Sequence, residues 1–155
     1  MLFVLYLLAI IVLISADQFS KFLIVQNFIE NKKVILVKDF FSITYTKNFG
    51  AGFSILQNQT IFLIVITIFA IGMVAYLLIK SNNSESFNRT CYLLIIGGAI
   101  GNLIDRISLG YVVDFLDFII FGYDFPVFNL ADSFITIGCF LLIISLMLES
   151  KRAKN

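Results

Sequence analysis

Histidine and tryptophan are absent from the 155-residue chain, and proline occurs once. Without histidine there is no imidazole general base and no Ser-His or Cys-His pair, and the commonest metal ligand is missing. Charge is scarce too: 14% of residues are Asp, Glu, Lys or Arg, and the formal net charge is +1. No basic run interleaved with aromatics occurs, so nucleic acid is not an expected partner. The two cysteines, Cys91 and Cys139, lie far apart, within or at the edge of apolar runs. Free, lipid-shielded thiols are expected there, not a disulfide or a metal site. Neither a metal nor a cofactor is expected.

What the chain has is apolar surface. Hydrophobic residues make up 60% of it, with 18 Phe. A soluble domain of this length cannot bury so much, and the remainder would aggregate. The surplus calls for lipid. A hydrocarbon core of about 30 Å takes roughly 20 residues of helix. Four runs qualify: 2–16 continuing to Val25, 60–80, 91–104, and 128–150. Their length and lack of alternation predict helices, which satisfy their own backbone groups in lipid. The first run lacks a basic n-region, and Ile14-Ser15-Ala16 lacks a small-x-small site, so it reads as retained. The chain reads as one domain, residues 1–155.

Four spans put both termini on one side. Lys80, Arg89, Lys151, Arg152 and Lys154 fall on that side; Lys32, Lys33, Lys38 and Lys47 fall on the other. The bias is slight and leans towards cytoplasmic termini. In the outer connection 26–59, Phe41, Ile43 and Tyr45 alternate with Ser42, Thr44 and Thr46. That period of two predicts a strand in a small sheet on the outer face, with a second strand or a turn through Gly50-Ala51-Gly52. Residues 108–128 are too apolar for an ordinary loop and too interrupted to span, and read as lying at the membrane interface.

Ionisable groups in such a chain are costly, so each needs an account. Asp17 and Lys21 share a helix face at i, i+4; by themselves they read as a salt bridge at the outer interface with Lys21 snorkelling. Asn48 before Gly50-Ala51-Gly52 reads first as a tight turn, and second as a place where a substrate strand docks. Gly97 and Gly101 stand in G-x-x-x-G register, a helix-packing signal. Asn102 and Arg106 follow on one face, either as a headgroup anchor or as a grip on a carbonyl or carboxylate. Asp117 and Asp124 read as solvated at the interface. Asn129 is a good N-cap, and Asp132 suits the positive end of the helix dipole. That leaves Asp114 without a role in its own greasy setting.

If the chain returns so that Asp114 meets Asp132 away from water, both cannot ionise cheaply, and they share a proton. One then takes a proton from water while the other polarises a peptide carbonyl and protonates the leaving amine. This needs no histidine, metal or covalent intermediate. A Ser20–Lys21 mechanism ranks well below it, because adjacent helix positions point about 100° apart.

DQFSK (17–21), NFGAGFSIL (48–56), GGAIGNLIDR (97–106), VVDF (112–115) and FNLADS (128–133) occur in that order. In these five motifs the chain resembles the lipoprotein signal peptidase (signal peptidase II) family along nearly its whole length. The resemblance implies an aspartic endopeptidase of the bacterial cytoplasmic membrane, with its active site towards the extracytoplasmic face. The substrate it implies is a prolipoprotein whose lipobox cysteine carries diacylglycerol, cut just before that cysteine. Asp114 and Asp132 match the family's catalytic pair. Asp17, Lys21, Asn48, Gly50, Asn102, Arg106, Asn129 and Ala131 match positions that shape or support the site. The family's extracytoplasmic sheet falls on 26–59 and its interfacial helix within 108–128. One departure is Ala51-Gly52, where the family motif usually has two alanines before the Phe; it loosens the loop. A monomer suffices for the chemistry, and membrane lipid is an expected partner. The competing readings are a small transporter or channel component, with polar groups spaced through the bilayer, and an assembly protein docking by its glycine patch.

Overall fold

In a computed structural model of the chain, residues 2–52, 55–81 and 86–152 are described. Phe53 and Ser54 of the glycine motif, residues 82–85 of the polar 81–89 connection and the end of the basic tail, Lys154 included, lie outside the described residues. Four helices form where the apolar runs predict them: α1 (Leu2–Asn27), α2 (Thr60–Lys80), α3 (Ser86–Ser108) and α4 (Leu130–Arg152). Each is long and apolar enough to cross a membrane. Three of them expose most of their apolar side chains, and α3 is buried along more than half of its span. It is the central post, packed by α1, α2 and α4.

Small residues on α3 permit this. Gly97 and Gly101 face α1, where a Cβ would collide with Leu13 and with the Asp17 carboxylate. Gly98 faces α4 and lies against the Ala131 carbonyl. Lipid tails are as apolar as leucine, so helix association in the bilayer depends on such close contacts. Towards the termini, Leu78, Tyr92 and Ile96 form a core with Tyr6 and Ile10 packed on it.

The opposite end carries an antiparallel sheet in the order β1-β2-β3-β4. Its strands are β1 (Val34–Val37), β2 (Phe41–Asn48), β3 (Val112–Ile120) and β4 (Tyr123–Asp124). The strand expected from the alternation at 41–46 is present. Residues 50–52 turn, and do not form another strand. The interfacial helix expected within 108–128 does not form: those residues supply β3 and β4. Val112, Val113, Asp114 and Phe115 are all buried, so this strand is covered on both faces, and it pairs with β2 over most of its length. Ile24 of α1, Tyr45, Val113 and Phe115 make the core that seats the sheet on the helices.

Candidate active site

The path from β3 into α4 brings Asp114 and Asp132 together. After β4 the chain doubles back, and Phe128 pairs with Leu116: its N–H donates to the Leu116 carbonyl at 3.0 Å and its carbonyl accepts from the Leu116 N–H at 2.7 Å. The next residue, Asn129, therefore lies beside Val113 and Asp114, and α4 begins there. Asn129 and Asp132 cap the helix reciprocally. The Asp132 N–H donates to Asn129 Oδ1 at 2.9 Å, and the Asn129 N–H donates to Asp132 Oδ2 at 3.2 Å. This is the logic of a capping box. Asn129 Nδ2 also donates to Asp114 Oδ1 at 2.7 Å, so one residue holds both acids: Asp114 through its side-chain amide and Asp132 through its backbone N–H.

Each acid has a second donor. Asn48, the last residue of β2, donates to Asp114 Oδ2 at 2.9 Å, while its own Oδ1 accepts from the Gly50 N–H at 2.9 Å. Asn102 of α3 donates to Asp132 Oδ1 at 2.7 Å. Asp114 is 2% exposed, whereas Asp132 is half-buried. Arg106 Nη2 donates to the Gly50 carbonyl at 3.1 Å, so it grips the glycine turn and is not a headgroup anchor.

Lys21 does not snorkel. It is 3% exposed, paired with Asp17 at 2.9 Å and Asp105 at 3.0 Å, and donates to Asn102 Oδ1 at 2.9 Å. Asp17 accepts from the Ala131 N–H at 3.0 Å and so holds the first turn of α4. Ser20 donates to the Asp17 carbonyl and Lys21 to these three other partners, so no Ser-Lys pair forms. Asp117, expected to be solvated, is 1% exposed; it pairs with Lys33 at 2.8 Å and accepts from Ser42. Asp124 is exposed, as expected. Among the described residues, no group of three or more Asp, Glu, Cys or His side chains is arranged to hold a metal ion.

Residues 9–148 match a family model described as signal peptidase (SPase) II. The chain belongs to the signal peptidase II family. A lipoprotein signal peptidase of Streptococcus thermophilus is 45% identical over 143 residues, 91% of each chain. One from Streptococcus pyogenes is 43% identical over 147 residues, 94% of each. A solved bacterial membrane enzyme superposes with a TM-score of 0.90 at 37% identity, covering 95% of this chain and 90% of its own. A second reaches 0.83 at 38% identity, covering 91% of each.

In this member of the signal peptidase II family, the described polar residues of the five motifs thus converge at one end of the helical bundle. Two residues of the cluster were undervalued in the sequence. Asp105 joins α1 to β3: it pairs with Lys21, accepts from Gln18 at 2.8 Å and accepts the Val113 N–H at 3.1 Å. Gln18 also donates to the Gly101 carbonyl. The signal was spacing: Gly97, Gly101 and Asp105 form one i+4 row that meets α1.

Burial, and after it the charge of Asp132, pushes the Asp114 carboxyl from 3.8 up to about 7, against the donors Asn48 and Asn129. Between those two values the folded chain keeps a proton that the unfolded chain has released. The stability this proton contributes is complete below the unfolded value and is lost as pH rises through the folded one. Raising the pH from about 5 to about 8 is therefore expected to lower the thermal midpoint in detergent, and to lower it less in Asp114→Asn.

Proposed function

We propose that this chain is a lipoprotein signal peptidase: an aspartic endopeptidase that cuts prolipoproteins just before a diacylglyceryl-modified cysteine and releases the signal peptide. Family membership supports the substrate class. The observation that carries the chemistry is that Asn129 binds both acids at the start of α4, Asp114 through its side-chain amide and Asp132 through its backbone N–H. Two acids so joined, one almost wholly dry, share one proton.

In this reading Asp114, whose carboxyl is raised to about 7, holds the proton. Ionised Asp132, on the more open side, takes a proton from water as the water oxygen bonds to the scissile carbonyl carbon. Asp114 donates to the carbonyl oxygen as it gains charge. Collapse of the tetrahedral centre breaks the C–N bond as Asp114 passes its proton to the leaving amine of the cysteine; Asp132 keeps the proton taken from water, so the pair again holds one. Asn48, Asn102 and Asn129 fix the carboxylates, Asp17 and Ala131 fix the first turn of α4, and Arg106 with Gly50 fixes the turn beside Asn48.

The enzyme works as a single integral-membrane domain, a monomer, in the bacterial cytoplasmic membrane. Its termini are cytoplasmic and its site faces outward. Lys80 and Arg89 at the terminal end support that orientation, though weakly against the lysines of the sheet. Acyl chains buried in lipid would hold the scissile bond at headgroup depth, level with the outer ends of α3 and α4. The test compares diacylated with unacylated precursor. The diacylated form is expected to be cut at least about 100-fold more efficiently, because remote binding energy positions the bond. Equal rates would remove the lipid from the recognition.

A further inference from the structure

We infer that Lys21 is a positioning residue for the reaction, acting on Asp132 through the amide of Asn102. This rests on the Asp114–Asp132 reading above and adds to it how the donor at Asp132 is kept facing the right way.

An ammonium has three N–H donors and no acceptor. Lys21 spends them on three acceptors: Asp17 Oδ2 at 2.9 Å, Asp105 Oδ2 at 3.0 Å and Asn102 Oδ1 at 2.9 Å. The two carboxylates come from different helices and anchor the ammonium, so its third hydrogen is aimed at Asn102. Only the amide oxygen can face a group that donates alone. The amide nitrogen must then face Asp132 Oδ1, where it donates at 2.7 Å. A reversed amide would set oxygen against carboxylate and nitrogen against ammonium.

Asn129 is a weaker lock on the same amide. Its orientation is fixed by the Asp132 N–H on Oδ1, which leaves two hydrogens on Nδ2. These are divided among Asp114 Oδ1 at 2.7 Å, Asn102 Oδ1 at 3.1 Å and the Val113 carbonyl at 3.3 Å. What reaches Asp132 through Asn102 is the direction and strength of a hydrogen bond, since Asp17 and Asp105 each pair with the ammonium and hold it in place. A donor polarised by a charge-assisted bond on its far side is strengthened as well as oriented.

The test is a double-mutant cycle on cleavage of a diacylated precursor by the full chain in detergent, with Lys21→Gln, Asn102→Ala and their combination. Each single change is expected to lower kcat about 100-fold with KM within about twofold, as for loss of one preorganised donor. If Lys21 acts through Asn102, the double variant falls no more than about threefold below the weaker single one. A double variant lower by the product of the two effects, or a folded Lys21→Gln with full kcat, overturns the inference. Should Lys21→Gln fail to fold, the cycle is run in an Asp105→Asn background, which removes a carboxylate left unpaired. Asp114→Asn and Asp132→Asn are assayed alongside. Activity in either sinks the dyad itself; inactivity in both with a multiplicative cycle sinks only the role of Lys21.

Discussion

Asp114→Asn and Asp132→Asn are each expected to lower cleavage of a diacylated precursor by roughly 10³-fold or more, with the chain still folded. The amide is close to the carboxylate in size, so neither change opens a cavity. At Asp114 it resembles the protonated acid in charge but has no acidic proton to give to the carbonyl oxygen or the amine. At Asp132 it removes the base. There the new NH2 must face one of two donors, Asn102 Nδ2 or the Asn129 N–H, which costs about 1–3 kcal/mol. Far-UV circular dichroism and a thermal midpoint in detergent check the fold, and release of signal peptide reads the activity. Retained cleavage in a folded variant would remove that acid from the mechanism.

The second large effect is expected at a residue that touches no substrate. Gly98→Ala should destabilise the chain by about 1–3 kcal/mol, the cost of overpacking, and lower activity about 100-fold, because small misplacements of reacting groups are expensive. A Cβ at Gly98 meets the backbone carbonyl of Ala131 and stands 2.9 Å from Ile135 Cγ1. Neither α3 nor the first turn of α4 can yield without moving Asn102 away from Asp132. Gly72→Ala is the control: its Cβ meets nothing within 4 Å, and its effect on both readouts should be small. Equal behaviour of the two variants would mean that the α3–α4 approach does not set the geometry of the acids.

The four spans were legible because length and unbroken apolarity identify a helix in lipid without any partner being known. Strand β2 was legible because Phe41, Ile43 and Tyr45 alternate with polar residues. Strand β3 was not. Val112, Val113, Asp114 and Phe115 are buried together, so the period of two vanishes and the segment reads as generic interface. The two acids drew notice as isolated charges in apolar surroundings, but their meeting depends on the Phe128–Leu116 pairing, which no local pattern announces. Lys21 pairs with Asp17 as the spacing predicts, but it does not snorkel, for a related reason. An isolated helix offers it only the headgroups, whereas the folded chain brings Asp105 and Asn102 from α3, more than 80 residues away. Asp117 follows suit: its partner Lys33 lies just before β1 and reaches it across β2. Spacing along a helix was informative within a span, and the rows Gly97–Gly101–Asp105 and Gly98–Asn102–Arg106 sort the contacts of α3 between α1 and the α4 side.

The most direct measurement is the pH profile of kcat/KM for a diacylated precursor. Two acids holding one proton give a bell, with the alkaline limb near the value of about 7 for Asp114, and either Asn variant reduces the residual activity to at most one ionisation. A profile that stays level through both limbs, or shows a single ionisation, would contradict the shared proton.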